Sequence, residues 1–366
     1  MGVDAGQGPN ADLDDGIQSG LRLLSRASLR GPKPAQQEKI SARPRLEPAT
    51  RRTSWWGKLA LAFGFLSAVA HELRDFRPQI IHTHDVPALF FAVVTGANRY
   101  GRVVYDAHEL NSLRTGSSKL GTALTSAVER LFWSQVDLLV SVSGSICSWY
   151  ETAYGPKKNV VIRNIHHALP PAEGLQWHGK SARELLNISE KTVVFAYVGA
   201  FEEGRRLEEI VSAFSGVSAA SGILLMLGGG SKRASLSALA SASSAVTFVE
   251  PIPNRFLPSF ISGVDYGLCL LDAHTPNEFM ALPNKVFEYV AGGVRPVTSD
   301  FPELSRIAEQ SGGLVWPEGD IRDRVAHLVS IGRPEPVPAS LRDAFSFDLE
   351  VRKLLDGYAD LLKSPC

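Results

Sequence analysis

From residue 79 onward the chain repeats one pattern: a short apolar run, a polar turn, then a stretch with helical spacing. Gln79-Ile80-Ile81-His82 leads into Thr83-His84-Asp85 and a helix from about Ala88. Arg102-Val103-Val104-Tyr105 leads into Asp106-Ala107-His108-Glu109, and Asp137 to Val142 leads into a helix capped by Ser143. Asn159 to Ile162 is a further strand. Runs this short, apolar on both faces and separated by helical stretches, are what a covered parallel sheet requires. The same pattern restarts at Thr192 to Val198, followed by a helix whose apolar stripe is Leu207, Ile210, Val211 and Phe214. Ile223 to Leu227, Val246 to Val249 and Asp265 to Leu271 are the next strands, and a last helix spans roughly Phe347 to Leu362.

The expected class is therefore α/β, with two successive domains built on parallel sheets. The boundaries place the first at 51–170, a linker at 171–191 following Pro170-Pro171, the second at 192–340, and a terminal segment carrying the last helix at 341–366. Residues 1–50 do not fit. They are rich in Gly, Pro, Arg and Gln, and a doubly wound domain normally opens on a buried strand. The segment reads as a disordered extension or as the sign that the first domain lacks its first strand, with Leu13 to Leu24 a remnant edge strand.

The densest chemistry lies in Pro283 to Asp300. Pro283 and Asn284 suit the start of a helix and Gly292-Gly293 its end. At 100° per residue, Val286, Phe287, Val290 and Ala291 fall on one side, and Lys285, Glu288 and Tyr289 on the other. Free N–H groups at the helix start together with Lys285 suit a phosphate, while Glu288, one turn along, suits a ribose diol. The competing reading is a solvated i,i+3 pair worth a few tenths of a kcal/mol, and spacing alone leaves both open.

In open α/β sheets ligands bind beyond the carboxyl ends of the strands, which makes His84, Asp85, His108 and Glu109 candidates in the first half. In the second, Gly199-Ala200-Phe201-Glu202-Glu203-Gly204-Arg205-Arg206 brings one or two guanidinium groups to a helix start, a composition suited to a diphosphate; solvated surface arginines are the alternative. His82 reads as structural, and Gly228-Gly229-Gly230 as a tight turn before a ligand loop. Neither the dinucleotide nor the Walker fingerprint is present. No Cys/His metal spacing and no Gly-x-Ser-x-Gly elbow occurs.

Composition narrows the classes further. The 366 residues carry 38 Lys plus Arg against 38 Asp plus Glu, so the formal charge is zero and there is no basic footprint for nucleic acid. Cys147, Cys269 and Cys366 are scattered, which suits a reducing compartment, and Met1 to Gly20 lacks the apolar segment of a secretory signal. A cytoplasmic location is the default. Leu59 to Ala70 is apolar but shorter than the roughly 20 residues a spanning helix needs. It reads as a buried helix, or, with Arg51, Arg52, Trp55, Trp56 and Lys58 before it, as a helix lying on anionic lipid at the inner membrane face.

Together, DFRPQIIHTHD (75–85), YDAHEL (105–110), DLLVSVS (137–143), VIRN (161–164), YVGAFEEGRRLEE (197–209) and above all residues 282–300 resemble the retaining glycosyltransferases of family 4. The resemblance covers roughly 75–362. It implies the GT-B architecture, two Rossmann-like domains facing across a cleft, and sugar transfer from a UDP- or GDP-sugar to an acceptor hydroxyl with retention, in polysaccharide, glycolipid or glycoconjugate synthesis, with no cofactor and no essential metal. It assigns Glu288 to the donor ribose, Arg205 and Lys285 to the departing diphosphate, with Asn284 and Gly199 beside them, and His108 to the reacting carbon. His84, Asp85 and Glu109 fall on the acceptor side, and the last helix crosses back onto the first domain. Three departures stand out: Met280 occupies the position of the family's first acid, Ala200 that of a phosphate-binding base, and the first strand with its glycine-rich loop is missing. A non-catalytic nucleotide- or partner-binding relative, and a nucleotide-sugar epimerase of the same fold, remain alternatives.

Overall fold

A computed structural model describes residues 55–114, 118–165, 179–317 and 319–363, and of 55–62 the backbone alone. The edge strand expected within Leu13 to Leu24, like all of residues 1–54, lies outside the described residues. Up to Gln79, together with Arg99–Gly101, the described residues form one compact unit; the remainder form a second.

In the first unit, helix α1 (Trp55–Phe76) takes in the apolar run. The expectation of a buried helix is not met. Of residues 63–76 only Leu73 is buried, and Phe63, Phe65 and Phe76 are exposed. Among the described residues no helix is long and apolar enough to cross a membrane.

The second unit contains two parallel sheets, and the α/β class with two parallel-sheet domains stands. The first sheet has four strands in the order β1-β2-β3-β4: β1 (Ile80–His84), followed by α2 (Asp85–Val94); β2 (Arg102–Ala107), followed by α3 (Lys119–Phe132); β3 (Leu138–Ser141), followed by α4 (Gly144–Tyr154); and β4 (Asn159–Val161). The Ser143 hydroxyl accepts from Ile146 N and caps α4 as its sequence position predicts. A buried carboxylate ties this domain's helices to its sheet. Glu129 of α3 accepts hydrogen bonds from the hydroxyls of Tyr105 (2.8 Å), Tyr150 (2.7 Å) and Tyr154 (3.1 Å).

The stretch read as linker is partly structured. Helix α5 (Ala182–Leu186) opens on a Ser181/Glu184 capping box. Arg183 then bonds Asp265 at 2.6 Å, both side chains being 5% exposed, and Val194 N donates to the same carboxylate oxygen at 2.7 Å. A buried ion pair is held by the bonds that meet its remaining valences: Arg183 also donates to Ser189 O and Thr192 O, and Arg333 Nε to the other Asp265 oxygen, though Arg183 Nε stays without a partner, so α5 is fastened to the second sheet.

That sheet has six strands in the order β10-β9-β8-β5-β6-β7. In chain order its elements are β5 (Val193–Val198), α6 (Leu207–Ala213), β6 (Gly222–Leu227), α7 (Arg233–Leu239), β7 (Val246–Val249), α8 (Leu257–Ile261), β8 (Tyr266–Cys269), α9 (Pro276–Phe279), α10 (Asn284–Ala291), β9 (Arg295–Ser299), α11 (Pro302–Gln310), β10 (Leu314–Trp316) and α12 (Ile321–Ile331). Alternate side chains of β5 feed two cores. Val194, Ala196 and Val198 pack with α8, α10 and α11, while Val193, Phe195 and Tyr197 pack with α6, α7 and α12. After α13 (Ala339–Asp343), helix α14 (Phe347–Lys363) sends Tyr358 and Leu361 into the core of the first sheet, against Val104, Leu138 and Val140.

Candidate functional site

The second-sheet half of the site is built where β5, β6 and β8 end. Strand β5 is buried throughout and gives way at Gly199, whose φ is +132°, a region that disfavours any side chain. A Cβ on Gly228, at the end of β6, would stand 2.0 Å from Gly199 O. The glycine run 228–230 thus lets two strand-end loops pass backbone against backbone, as its reading as a tight turn implies.

Helix α10 follows, with Pro283 before it and Gly293 in the left-handed region at its end (φ +79°). Its wheel splits differently from the expectation. Val286, Phe287 and Val290 are buried as predicted, but Tyr289 is fully buried too, its hydroxyl accepting from Val198 N at 2.9 Å. Lys285 is 7% exposed, which removes it from any solvated pair. A helical wheel places residues on faces; it does not reveal that β5 and its loop cover the second face as well.

Lys285 Nζ lies 3.8 Å from the centre of the Tyr197 ring, and a Cβ on Gly199 would stand 3.4 Å from it. That nitrogen is buried and has no hydrogen-bond partner. The ring offers cation–π attraction, but none of the three N–H donors is used. Burial pushes the Lys285 ammonium down to about 8, with neighbouring Arg205 acting in the same direction and Cys269 and Glu288 opposing. Arg205 is half-buried and interacts with Tyr197, and its Nε also lacks a partner. The two arginines of the loop therefore separate: Arg206 pairs with Glu209 at 2.6 Å, whereas Arg205 turns toward Lys285. Glu288 sits half-buried one turn beyond Lys285, close enough for its charge to act on the ammonium, and Asn284 is half-buried at the start of α10. Two cations thus lie side by side, with the ammonium of one lacking any hydrogen-bond partner, an arrangement that suits an anionic ligand.

The first-sheet half is a histidine cluster. Parallel pairing sets His82 opposite Val104 and His84 opposite Asp106, which brings both histidines of β1 beside Asp106 of β2 and His108 just past its end. His82 Nε2 and His84 Nδ1 lie 3.0 and 3.3 Å from Asp106 Oδ2, His108 Nε2 lies 3.6 Å from the same oxygen, and His84 Nδ1 is 2.9 Å from His108 Nε2. Burial opposes ionisation of Asp106, but bonds from His82 and His84 and the charge of His108 prevail and hold its carboxyl well below the usual range. The bond to Asp106 raises His84 despite partial burial. His82 is the structural bonder its position implies, and its Nδ1 reaches the Tyr358 hydroxyl of α14 at 2.5 Å. Asp85, with φ +62°, holds Asn111 through its carboxylate at 3.1 Å.

The two halves are joined directly. Asn277 of α9 accepts from Leu110 N at 2.8 Å and donates to Glu109 Oε2 at 3.1 Å, while Arg114 holds the other Glu109 oxygen at 2.9 Å. Ser143 donates to Met280 O at 3.2 Å, and Ser145 donates to Glu303 of α11 through its N–H and hydroxyl. Gly199, Arg205, Asn284, Lys285 and Glu288 lie in the second-sheet half, His84 and His108 in the histidine cluster, Asp85 beside it on Asn111, and Glu109 on the link to Asn277. Asp106, Asn277, Tyr197 and Tyr358 are the residues sequence reasoning missed. Only Asp106 had a readable signal, the shared i,i+2 spacing His82/His84 and Asp106/His108. Cys147 and Cys269 are buried free thiols, and Cys366 lies outside the described residues.

Known proteins agree with this architecture. The family described as Glycosyltransferase Family 4 matches at residues 25–165, less than half of the chain. No curated protein sequence matches the chain. Solved structures do match in fold. Sucrose-phosphate synthase from Thermosynechococcus elongatus superposes with TM-score 0.65 at 16% identity, over 98% of this chain and 94% of that one. Anabaena HepE in complex with UDP gives TM-score 0.64 at 11% identity, over 83% and 84%. A glycosyltransferase from Rickettsia africae gives 0.62 at 13% identity, over 87% and 85%. At these identities the likeness establishes the fold, which is GT-B.

Proposed function

We propose that this chain is a glycosyltransferase that moves a sugar from a nucleotide-sugar donor to an acceptor hydroxyl, with retention at the anomeric carbon. The observation that carries the reading is Lys285: a buried ammonium without a hydrogen-bond partner, beneath the Gly199 loop and beside Arg205. A lysine desolvated this far is costly unless a ligand supplies the missing charge and acceptors. A nucleoside diphosphate does both. Lys285 and Arg205 bind its phosphates, with Gly199 and Asn284 beside them, and Glu288 accepts hydrogen bonds from the ribose diol. As the bond to the sugar breaks, negative charge grows on the leaving diphosphate, and cations already fixed in a water-poor site stabilise it without reorganising.

His108 stands at the end of β2, on the loop that Asn277 ties to the start of the donor region. It acts as the group that positions the donor sugar at the reacting carbon, oriented by Asp106 and His84. His84, Asp85 and Glu109 face the acceptor. Support for a UDP-sugar comes from the UDP and UDP-glucose complexes of Anabaena HepE. The acceptor belongs to the polysaccharide or glycolipid class, met at the cytoplasmic membrane face, a placement supported by the exposed Phe63 and Phe65 of α1.

Calorimetry with UDP, GDP and their sugar conjugates tests the donor site. Binding of at least one is expected, with Glu288→Ala weakening it by about tenfold or more, as loss of bonds to a ribose diol implies. Silence across the panel, or a Glu288→Ala variant that binds as the parent does, overturns the assignment. Nucleotide release that requires an acceptor separates transfer from epimerisation and from simple binding.

A further inference from the structure

We propose that His82, His84, Asp106 and His108 form a binding site for one divalent transition-metal ion of the zinc class, and that the ion, when bound, occupies His108. The binding rests on the histidine cluster alone; only its inhibitory consequence rests on the sugar-transfer reading. No linear spacing along the chain announces such a site, because it forms where the end of β1 pairs with the end of β2 and His108 follows just beyond.

Zinc holds nitrogen and carboxylate ligands at roughly 2.0–2.2 Å in a tetrahedron, which sets donor atoms roughly 3.3 Å from one another. The donor atoms of His82, His84 and Asp106 all lie within 4.8 Å of one another. Within the cluster, the separations are 3.0 Å for His82 Nε2 to Asp106 Oδ2, 3.3 Å for His84 Nδ1 to the same oxygen, 2.9 Å for His84 Nδ1 to His108 Nε2, and 3.6 Å for His108 Nε2 to Asp106 Oδ2. Each of these four edges differs from the tetrahedral edge by no more than small side-chain rotations absorb; the group within 4.8 Å of one another is His82, His84 and Asp106, so His108 completes the tetrahedron only by swinging its ring toward His82. Three imidazoles and one carboxylate select zinc, cobalt, nickel or copper over magnesium and calcium, which prefer all-oxygen sets.

The outer contact also fits. A ligating histidine normally donates its other ring N–H to an acceptor that fixes its tautomer. With Nε2 turned to the ion, His82 Nδ1–H donates to the Tyr358 hydroxyl at 2.5 Å. Because Tyr358 lies on α14, this contact aims His82 from outside its own sheet. An ion held here takes the lone pair of His108 Nε2, so the metal and the positioning of a donor sugar by that nitrogen exclude each other.

The test is titration of the full chain with Co2+, followed by its visible absorption. One equivalent is expected to give the intense bands of a four-coordinate nitrogen/oxygen site, displaced by Zn2+. His84→Ala, at a 63% exposed side chain, and Asp106→Asn should each weaken Co2+ binding by about tenfold or more. His71→Ala, at an exposed histidine on α1, should leave it unchanged. Absence of the bands, or bands that survive both cluster variants because the ion sits on other histidines, overturns the proposal. Nucleotide binding measured on the same samples keeps the readings apart: a protein that binds Co2+ at the cluster but no nucleotide keeps the metal site and loses the transferase assignment.

Discussion

Lys285 shows how burial sets a stability cost at one residue and, on the proposed reading, a binding role. Its folded value of about 8 lies below the ordinary 10.5, so between those values the unfolded chain binds more protons than the folded one. Stability must then rise with pH from about 8 to 10.5 and be flat below, by up to ~3 kcal/mol in all. Chemical denaturation at pH 7 and pH 10 checks the sign. Lys285→Met keeps the volume and removes the charge. It is expected to be at least as stable as the parent at pH 7, to lose the pH dependence in this window, and to bind nucleoside diphosphate at least tenfold more weakly. A lysine held for structure alone would show the opposite pattern, destabilised and unaffected in binding. In the sequence the residue type and its place on a short helix were legible. Its desolvation was not, because that comes from Tyr197 and Gly199, more than eighty residues earlier.

Helix α10 is positioned by one close contact. A Cβ on Gly267 of β8 would stand 2.3 Å from the Tyr289 ring, so the helix rests directly on the strand, and the Tyr289 hydroxyl meets Val198 N of the neighbouring strand. Gly267→Ala must push α10 outward. The expected cost is about 3 kcal/mol by denaturation, with weakened nucleotide binding, because overpacking a filled core forces backbone shifts. An alanine tolerated at full stability would mean that α10 is not held by this contact. The boundaries of α10 were readable from Pro283 and Gly292-Gly293; its depth in the molecule depended on a glycine in another element.

At the scale of the whole molecule, α14 packs on the first sheet. Glu350, 2% exposed, accepts from Arg163 N at 2.9 Å and Arg163 Nε at 2.7 Å just after β4, while Tyr358 reaches His82. The Arg163 guanidinium lies 4.7 Å from the centre of the Phe345 ring and 5.8 Å from that of Phe287, which belongs to α10. One arginine just past β4 therefore faces both α14 and α10. Arg163→Ala leaves Glu350 with Lys353 as its remaining cation (2.8 Å) and should cost about 3 kcal/mol. The Arg163→Ala/Glu350→Ala pair should cost far less than the sum of the single changes, since both remove one interaction. Additive losses in that double-mutant cycle would show that the two side chains are not coupled.

What the sequence determined alone is local. Apolar runs and turn residues specified the strands up to β8 and several helices in order, but not β10 or the helices around it, and the resemblance carried by residues 282–300 pointed to the GT-B architecture. Strand ends were read within a few residues, because a buried parallel strand needs only its own apolar run and its flanking polar turn. Tertiary structure decided what those strand ends face. His82, His84, Asp106 and His108 converge because two strands pair in one register, and Lys285 is stripped of water because a distant loop closes over it. Periodicity along the chain reports the face a residue occupies, whereas proton affinity, metal affinity and the need for an anion depend on which distant groups replace its water.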